Sequence, residues 1–159
     1  MRRRASLVVL IIVIVIVIAG AVLYMAMSFS MSALEQPGVT ETFVATRMRD
    51  WSISRAARRP LPAAPEQNEE NISKGSAIYG MACANCHGQD GRNPTPIGKS
   101  MYPRVPDLSS PDIQRMSDRE LFWVVKNGVR LSGMPGFAKI DDDGQIWCVV
   151  YYVHSLGKR

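Results

Sequence analysis

The 159-residue sequence predicts an all-α domain behind one N-terminal transmembrane helix and a linker. Three observations predict that class. Leu7 to Met27 carries no charge; beyond residue 70 the punctuation is that of helix caps and stops; and no alternating strand pattern of useful length occurs there. The length suits one modest domain. The expected organisation is 1–27 as cytoplasmic tip and anchor, 28–70 as a stalk with a possible helix over 40–58, and 71–159 as the folded domain.

The apolar run of 21 residues spans roughly 31 Å as a helix at ~1.5 Å per residue, the thickness of a bilayer's hydrocarbon core. Its Val/Ile alternation would suit a strand, but a lone strand cannot satisfy its backbone in lipid and a helix can. Arg2, Arg3 and Arg4 precede it and hold the N-terminus in the cytoplasm. The expectation is a single pass through a bacterial inner membrane, with lipid around residues 7–27 and the domain on the periplasmic side. A cleaved secretory signal is the rival reading. Signal cores usually run only about 7–15 residues, and Ser30-Met31-Ser32-Ala33 is a poor cleavage match, so length favours an uncleaved anchor. Both readings put the chain beyond Met27 outside the cytoplasm.

In the stalk, Phe43, Val44, Met48 and Trp51 recur at about one helical turn, among Arg47, Arg49, Arg55, Arg58 and Arg59. A solvated linker helix is the plain reading. A helix on anionic headgroups or against a partner subunit is the sharper one. Pro60, Pro62 and Pro65 end any helix and favour an extended, stiff spacer.

From Asn71 onward eleven Lys/Arg stand against eight Asp/Glu, a net charge of +3. No stretch there interleaves clustered basic residues with aromatics, which excludes a nucleic-acid footprint.

The chemistry lies in Cys83-Ala84-Asn85-Cys86-His87. Two cysteines three apart on one helical turn put both sulfurs on the same side, each able to take one vinyl group of a haem, while the next histidine can reach the iron. A thioredoxin-like pair would follow a strand and open a long helix, whereas Ile72 to Ala82 already reads as helix. A zinc site would need a second Cys/His pair, which Cys148 and His154 do not supply at the usual spacing. One covalently held haem c is therefore expected, and its two propionates would lower the domain's charge to about +1. Asn127 to Phe137 is a loop by its glycines and proline, and it holds Met134. A thioether on such a loop can reach the other haem face, with Pro135 fixing the chain. Met81, Met101 and Met116 are expected to pack. His154, on the last turn of a helix, is expected to face solvent and the helix end.

Residues from about 71 to 159 resemble a class I cytochrome c domain. The resemblance rests on Gly75-x-x-x-Tyr79, Cys83-Ala-Asn-Cys-His87-Gly88, Val105-Pro106-Asp107-Leu108, Gly133-Met134-Pro135-Gly136-Phe137 and Trp147-x-x-x-Tyr151. It implies that Pro106 offers its carbonyl to His87, that Met134 is the distal ligand, and that Gly75 and Tyr79 meet Trp147 and Tyr151 where the first and last helices cross. Cys148 departs from the pattern and reads as a small buried apolar residue. Asn71 or Ser73 can cap the first helix, Ser110-Pro111 opens another, Ser117 to Glu120 is a capping box, and Asp141 to Asp143 can cap the last.

With His87 and Met134 as axial ligands of the iron, no open site remains for a substrate. The expected function is one-electron transfer between membrane redox proteins by a tethered mono-haem carrier, not catalysis. A fixed haem subunit of a larger respiratory or photosynthetic complex is the alternative, and a sensing or catalytic haem would need Met134 to be labile. Tyr79 is a further haem-contact candidate. Tyr102 and Arg104 are candidate propionate partners. Lys99, Arg104, Lys126, Arg130 and Lys139 are candidates for a docking face.

Overall fold

The computed structural model describes residues 2–28, 32, 35 and 37–158. Met1, Arg159 and, within the alternative cleavage stretch, Ser30, Met31 and Ala33 lie outside them. The chain falls into two units, residues 1–35 and 36–159. All regular structure among the described residues is helical.

The first unit is a single helix, α1 (Arg2–Ser28). From Ser6 to Ser28 it is long and apolar enough to cross a membrane, and none of that stretch is buried by protein. A helix apolar on every side and covered by nothing would expose a large hydrocarbon surface to water at ~25 cal/mol per Å². Lipid removes that cost.

The second unit is built on the crossing of α3 (Glu69–Ala82) and α8 (Asp143–Leu156). The start of α3 differs from expectation. Asn68, not Asn71 or Ser73, is the N-cap, and its side chain accepts from the Asn71 amide at 2.9 Å. The Asn71 side chain instead donates to the Glu66 carbonyl, which fixes the entering chain. The cap of α8 is Asp142, in a reciprocal box with Gln145, and Gly157 closes the helix.

Between them lie α4 (Ala84–His87), α5 (Pro96–Ser100), α6 (Pro111–Gln114) and α7 (Asp118–Asn127). Ser117 and Glu120 form the expected capping box on α7. Ser110 is extended ahead of Pro111, as the sequence suggests, but its side chain makes no cap bond.

At the crossing, a Cβ on Gly75 would stand 2.0 Å from the Cys148 carbonyl oxygen, so only glycine lets the two backbones meet. The aromatic register is one residue away from that implied by the resemblance. Tyr79 packs on Tyr152 with ring centroids 5.1 Å apart, while Trp147 turns away to stack on Phe122 at 4.3 Å. One residue along a helix is about 100° of rotation, so placing Cys148 at the contact carries Trp147 round towards α7. Cys148 is buried, as expected, with its thiol 3.8 Å from Asn71 Oδ1.

The stretch ahead of α3 is fastened to the domain rather than free along its length. It contains α2 (Val39–Ala56), whose Ile53 is buried, followed by the buried Ala57. Ser54 Oγ donates to Glu120 on α7, and these and other hydrogen bonds hold the Glu120 carboxyl below its usual range. Arg119 donates to the carbonyls of Ala57 (2.9 Å) and Arg59 (2.7 Å), satisfying acceptors that the end of α2 leaves open. Leu61 then packs against the core, and Tyr151 Oη donates to the Pro65 carbonyl at 2.8 Å. Replacing Arg119 by Met keeps the apolar stem and removes both donors. The expected result is a local loss of about 1–3 kcal/mol, with faster amide exchange in the last turn of α2 and little change in α3 or α8.

Candidate haem site

Helix α3 delivers its last turn into the motif. The Cys83 amide donates to Tyr79 O at 2.8 Å, and the His87 amide donates to Cys83 O at 2.9 Å, so both cysteines sit on one continuous helical turn. Tyr79 is fully buried, and its hydroxyl donates to the Gly88 carbonyl at 2.7 Å, tying the helix to the residue after His87. Burial raises the Tyr79 phenol above its usual range.

A second support lies outside the motif. Thr95 Oγ1 donates to the Asn85 carbonyl at 2.7 Å, and the Thr95 amide donates to Cys86 O at 3.1 Å. Thr95 is also the N-cap of α5, with Pro96 next in the chain. Thr-Pro is a legible helix start; the segment it holds was not legible.

His87 is half-buried, and its Nδ1 is 3.4 Å from the Pro106 carbonyl oxygen. That approach orients the ring and commits Nδ1, leaving Nε2 to act as a ligand. Burial lowers the imidazole's proton affinity, and the Pro106 carbonyl works against that. Burial pushes the half-buried Cys83 thiol up to about 11, with the fields of Asp141 and Cys86 adding to it.

Met134 lies on a loop that is closed on itself and stitched at its far end to α7. The Val129 amide donates to Met134 O at 3.2 Å, while Phe137 N donates to Val125 O and Ala138 N to Lys126 O, each within 3.1 Å. Gly128 makes the turn with φ +69°, and a Cβ there would stand 2.6 Å from the Gly136 amide nitrogen. Ser132 Oγ accepts from the Met134 amide and donates to Val129 O, bracing the loop from within. The Met134 side chain is half-buried. Of the three methionines expected to pack, Met116 packs on the core and Met101 against this loop, where a Cβ on Gly133 would lie 2.5 Å from its sulfur. Met81 does not pack but is exposed on the outer side of α3.

The remaining candidates separate. Tyr102 Oη is 3.1 Å from Thr42 Oγ1 on α2, and Arg104 is exposed. Lys99, Arg130 and Lys139 are exposed as well, whereas Lys126 pairs with Asp143 and lies 5.5 Å from the Phe122 ring centre, joining α7 to α8. His154 does not face open solvent. It is half-buried, with Nε2 2.8 Å from Asp118 Oδ1, within ion-pair range but off the line a hydrogen bond needs.

The residues fit a haem better than a bare ion. Cys83 and Cys86 are not joined in a disulfide, and no cluster of three or more Cys, His, Asp or Glu able to hold a metal occurs among the described residues. Such a site suits a group that brings most of its donor atoms with it, as a porphyrin does.

The family model for "cytochrome c oxidase, cbb3-type, subunit III" matches residues 70–153, more than half of the chain. The chain belongs to this family. It is a class I c-type cytochrome by that match, and the family implies haem c as its cofactor. The subunit CcoP of a cbb3-type cytochrome c oxidase from Azospirillum brasilense is 27% identical over 132 residues, which cover 82% of this chain and 41% of that protein. The chain thus spans less than half the length of this cbb3-type relative. A chain of the Kuenenia stuttgartiensis reducing HAO-like protein complex superposes with a TM-score of 0.53 at 26% identity, covering 62% of this chain and 51% of that one.

Proposed function

We propose that this chain is a single-pass, membrane-tethered cytochrome with one haem c, passing single electrons between redox proteins on the periplasmic face of a bacterial inner membrane. Residues 1–27 are the tip and anchor, 28–70 the stalk and 71–159 the haem domain. Cys83 and Cys86 hold the haem covalently and His87 is the proximal ligand, oriented by Pro106. Met134 is the distal ligand. Tyr102 and Arg104 are propionate partners, and Tyr79 braces the segment beneath the haem.

The observation that carries this reading is the convergence on one motif: Cys83, Cys86 and His87 on a single turn, with His87 Nδ1 already engaged by Pro106. Bound there, haem c supplies one-electron redox chemistry. The protein's part is to hold both axial side chains on braced segments and to keep solvent and substrates from the iron.

A second reading is favoured by the family match and by the assemblies named for both relatives: a fixed subunit of a multi-protein respiratory complex. Purification in mild detergent separates the two, a lone chain for the carrier and stable companion subunits for the complex. Haem staining of the full chain after denaturing electrophoresis tests both. The wild type is expected to retain one haem per chain, and Cys83→Ser/Cys86→Ser to retain none. A wild type that loses its haem on denaturation refutes covalent attachment.

A further inference from the structure

Helix α2 does two different things on its two sides. Thr42 meets Tyr102 and Ile53 is buried on one side; Ser54, in the last turn, lies by rotation at the edge of the other side and bonds Glu120, so α7 reaches that side only at the helix end. On the other, Phe43 (60% exposed), Val44 (48%), Met48 (65%) and Trp51 (64%) lie open. At about 100° per residue these four fall within an arc of about 140°, and Arg47 and Arg55 fall inside the same arc. Their guanidinium groups rest on the rings, Arg47 at 5.3 Å from the Phe43 centroid and Arg55 at 5.2 Å from that of Trp51.

We propose that this face of α2 seats on the anionic phospholipid headgroups of the bilayer that α1 spans, and so fixes how the haem domain is presented to its membrane partners. The proposal rests on the reading of α1 as an anchor.

Three observations choose lipid. Charge is the first: residues 39–59 hold five arginines against Glu41 and Asp50, and one of those acids is paired with Arg49 at 2.8 Å. A basic segment close to an anionic surface is attracted for each cation it brings. Side-chain type is the second, because indole and guanidinium together suit the headgroup layer, where one end of each group is apolar and the other wet. Covalent reach is the third. Ten residues separate Ser28 from Val39, so the chain allows α2 to stand at most about 40 Å from the end of the anchor. Ile53, Ser54 and the Arg119 bonds fasten α2 to α7, so a helix held at the surface holds the domain with it.

The test uses the full haem-loaded chain in lipid nanodiscs, either of phosphatidylcholine alone or with about a third phosphatidylglycerol. A spin label at Met48→Cys, with a second at Val44→Cys should the first disturb folding, is read for access to oxygen and to a water-soluble nickel relaxer. In anionic discs the label is expected to be reached by oxygen and shielded from nickel. Arg47→Gln with Arg55→Gln, which removes two cations, should lower the ratio of shielded to exposed label about 30-fold. Arg49→Gln, on the other side of the helix and already paired with Asp50, should lower it by a much smaller factor. A chain that enters the discs but keeps an equally exposed label in both lipids overturns the proposal and leaves the anchor reading standing. A label shielded only once another membrane protein is added overturns it in favour of a protein partner. A chain that never enters the discs overturns the anchor reading itself, and this one with it.

Discussion

Gly75→Ala is expected to lower the melting temperature of the haem-loaded protein by 10 °C or more, although alanine is the better helix former. Two effects oppose each other at this position. Intrinsic propensity favours alanine over glycine inside α3 by roughly 1 kcal/mol. Against it, the added Cβ would stand 2.0 Å from the Cys148 carbonyl oxygen and 2.4 Å from its carbon. Both are backbone atoms within α8, so no rotamer change relieves the contact. The helices must separate, and that opens the packing of Tyr79 on Tyr152 and of the buried Val149 beside it. Overpacking of this kind costs about 1–3 kcal/mol, and rigid backbone on both sides puts this site at or above the top of that range. For a domain of this size each kcal/mol shifts the midpoint by about 4–8 °C. Gly80 supplies the control within the same helix. Nothing lies within 4 Å of a Cβ there, so Gly80→Ala should raise the midpoint by a few degrees. Thermal unfolding followed by the haem absorption in detergent reads both. A Gly75→Ala variant as stable as wild type would show that α3 and α8 do not meet at this point.

Much of this frame is legible in the sequence because its causes are local. The apolar run of α1, the Ser117–Glu120 box, the aspartate cap of α8 and the turn of the Cys-x-x-Cys-His motif each arise from neighbouring residues. The illegible features depend on partners far along the chain. The start of α3 moves to Asn68 because Asn71 holds Glu66 and Tyr151 holds Pro65. Asparagine occurs at both positions, so composition alone cannot choose between them. The fastening of residues 53–65 is a second case: Arg119 reads as an ordinary charged position in the first turn of α7, and its bonds to Ala57 and Arg59 cross some sixty residues. The third is the crossing register, where a rotation of one residue exchanges Trp147 for Cys148. In the candidate site, the residue types of the motif announce its chemistry. The brace from Thr95 and the position of Met101 beside Gly133 depend on how the loops fold.

Met134→Ala is expected to change the chemistry of the site far more than its stability. The side chain is half-buried on a loop whose backbone is held independently by Val129, Ser132, Phe137 and Ala138. Its truncation should therefore cost no more than ~1–2 kcal/mol, below the usual cost of emptying a packed core. If Met134 is the distal ligand, its loss opens the iron. The oxidised protein then loses its far-red sulfur-to-iron absorption band, the reduced protein takes up carbon monoxide, and the reduction potential falls. Met134→His separates ligand identity from ligand presence, because it can keep the iron closed while lowering the potential as nitrogen replaces sulfur. The decisive comparison is with Met101, whose sulfur lies against Gly133, one residue from Met134. Met101→Leu keeps the volume and removes the sulfur, and it should leave the far-red band intact. If that variant loses the band while Met134→Ala keeps it, Met101 is the ligand and Met134 the packing residue. If the wild type already binds carbon monoxide readily, the iron is open, and a closed one-electron carrier gives way to a haem that binds ligands. Charge transfer and ligand uptake thus read one physical fact, whether a thioether occupies the sixth position, and the functional reading rests on it.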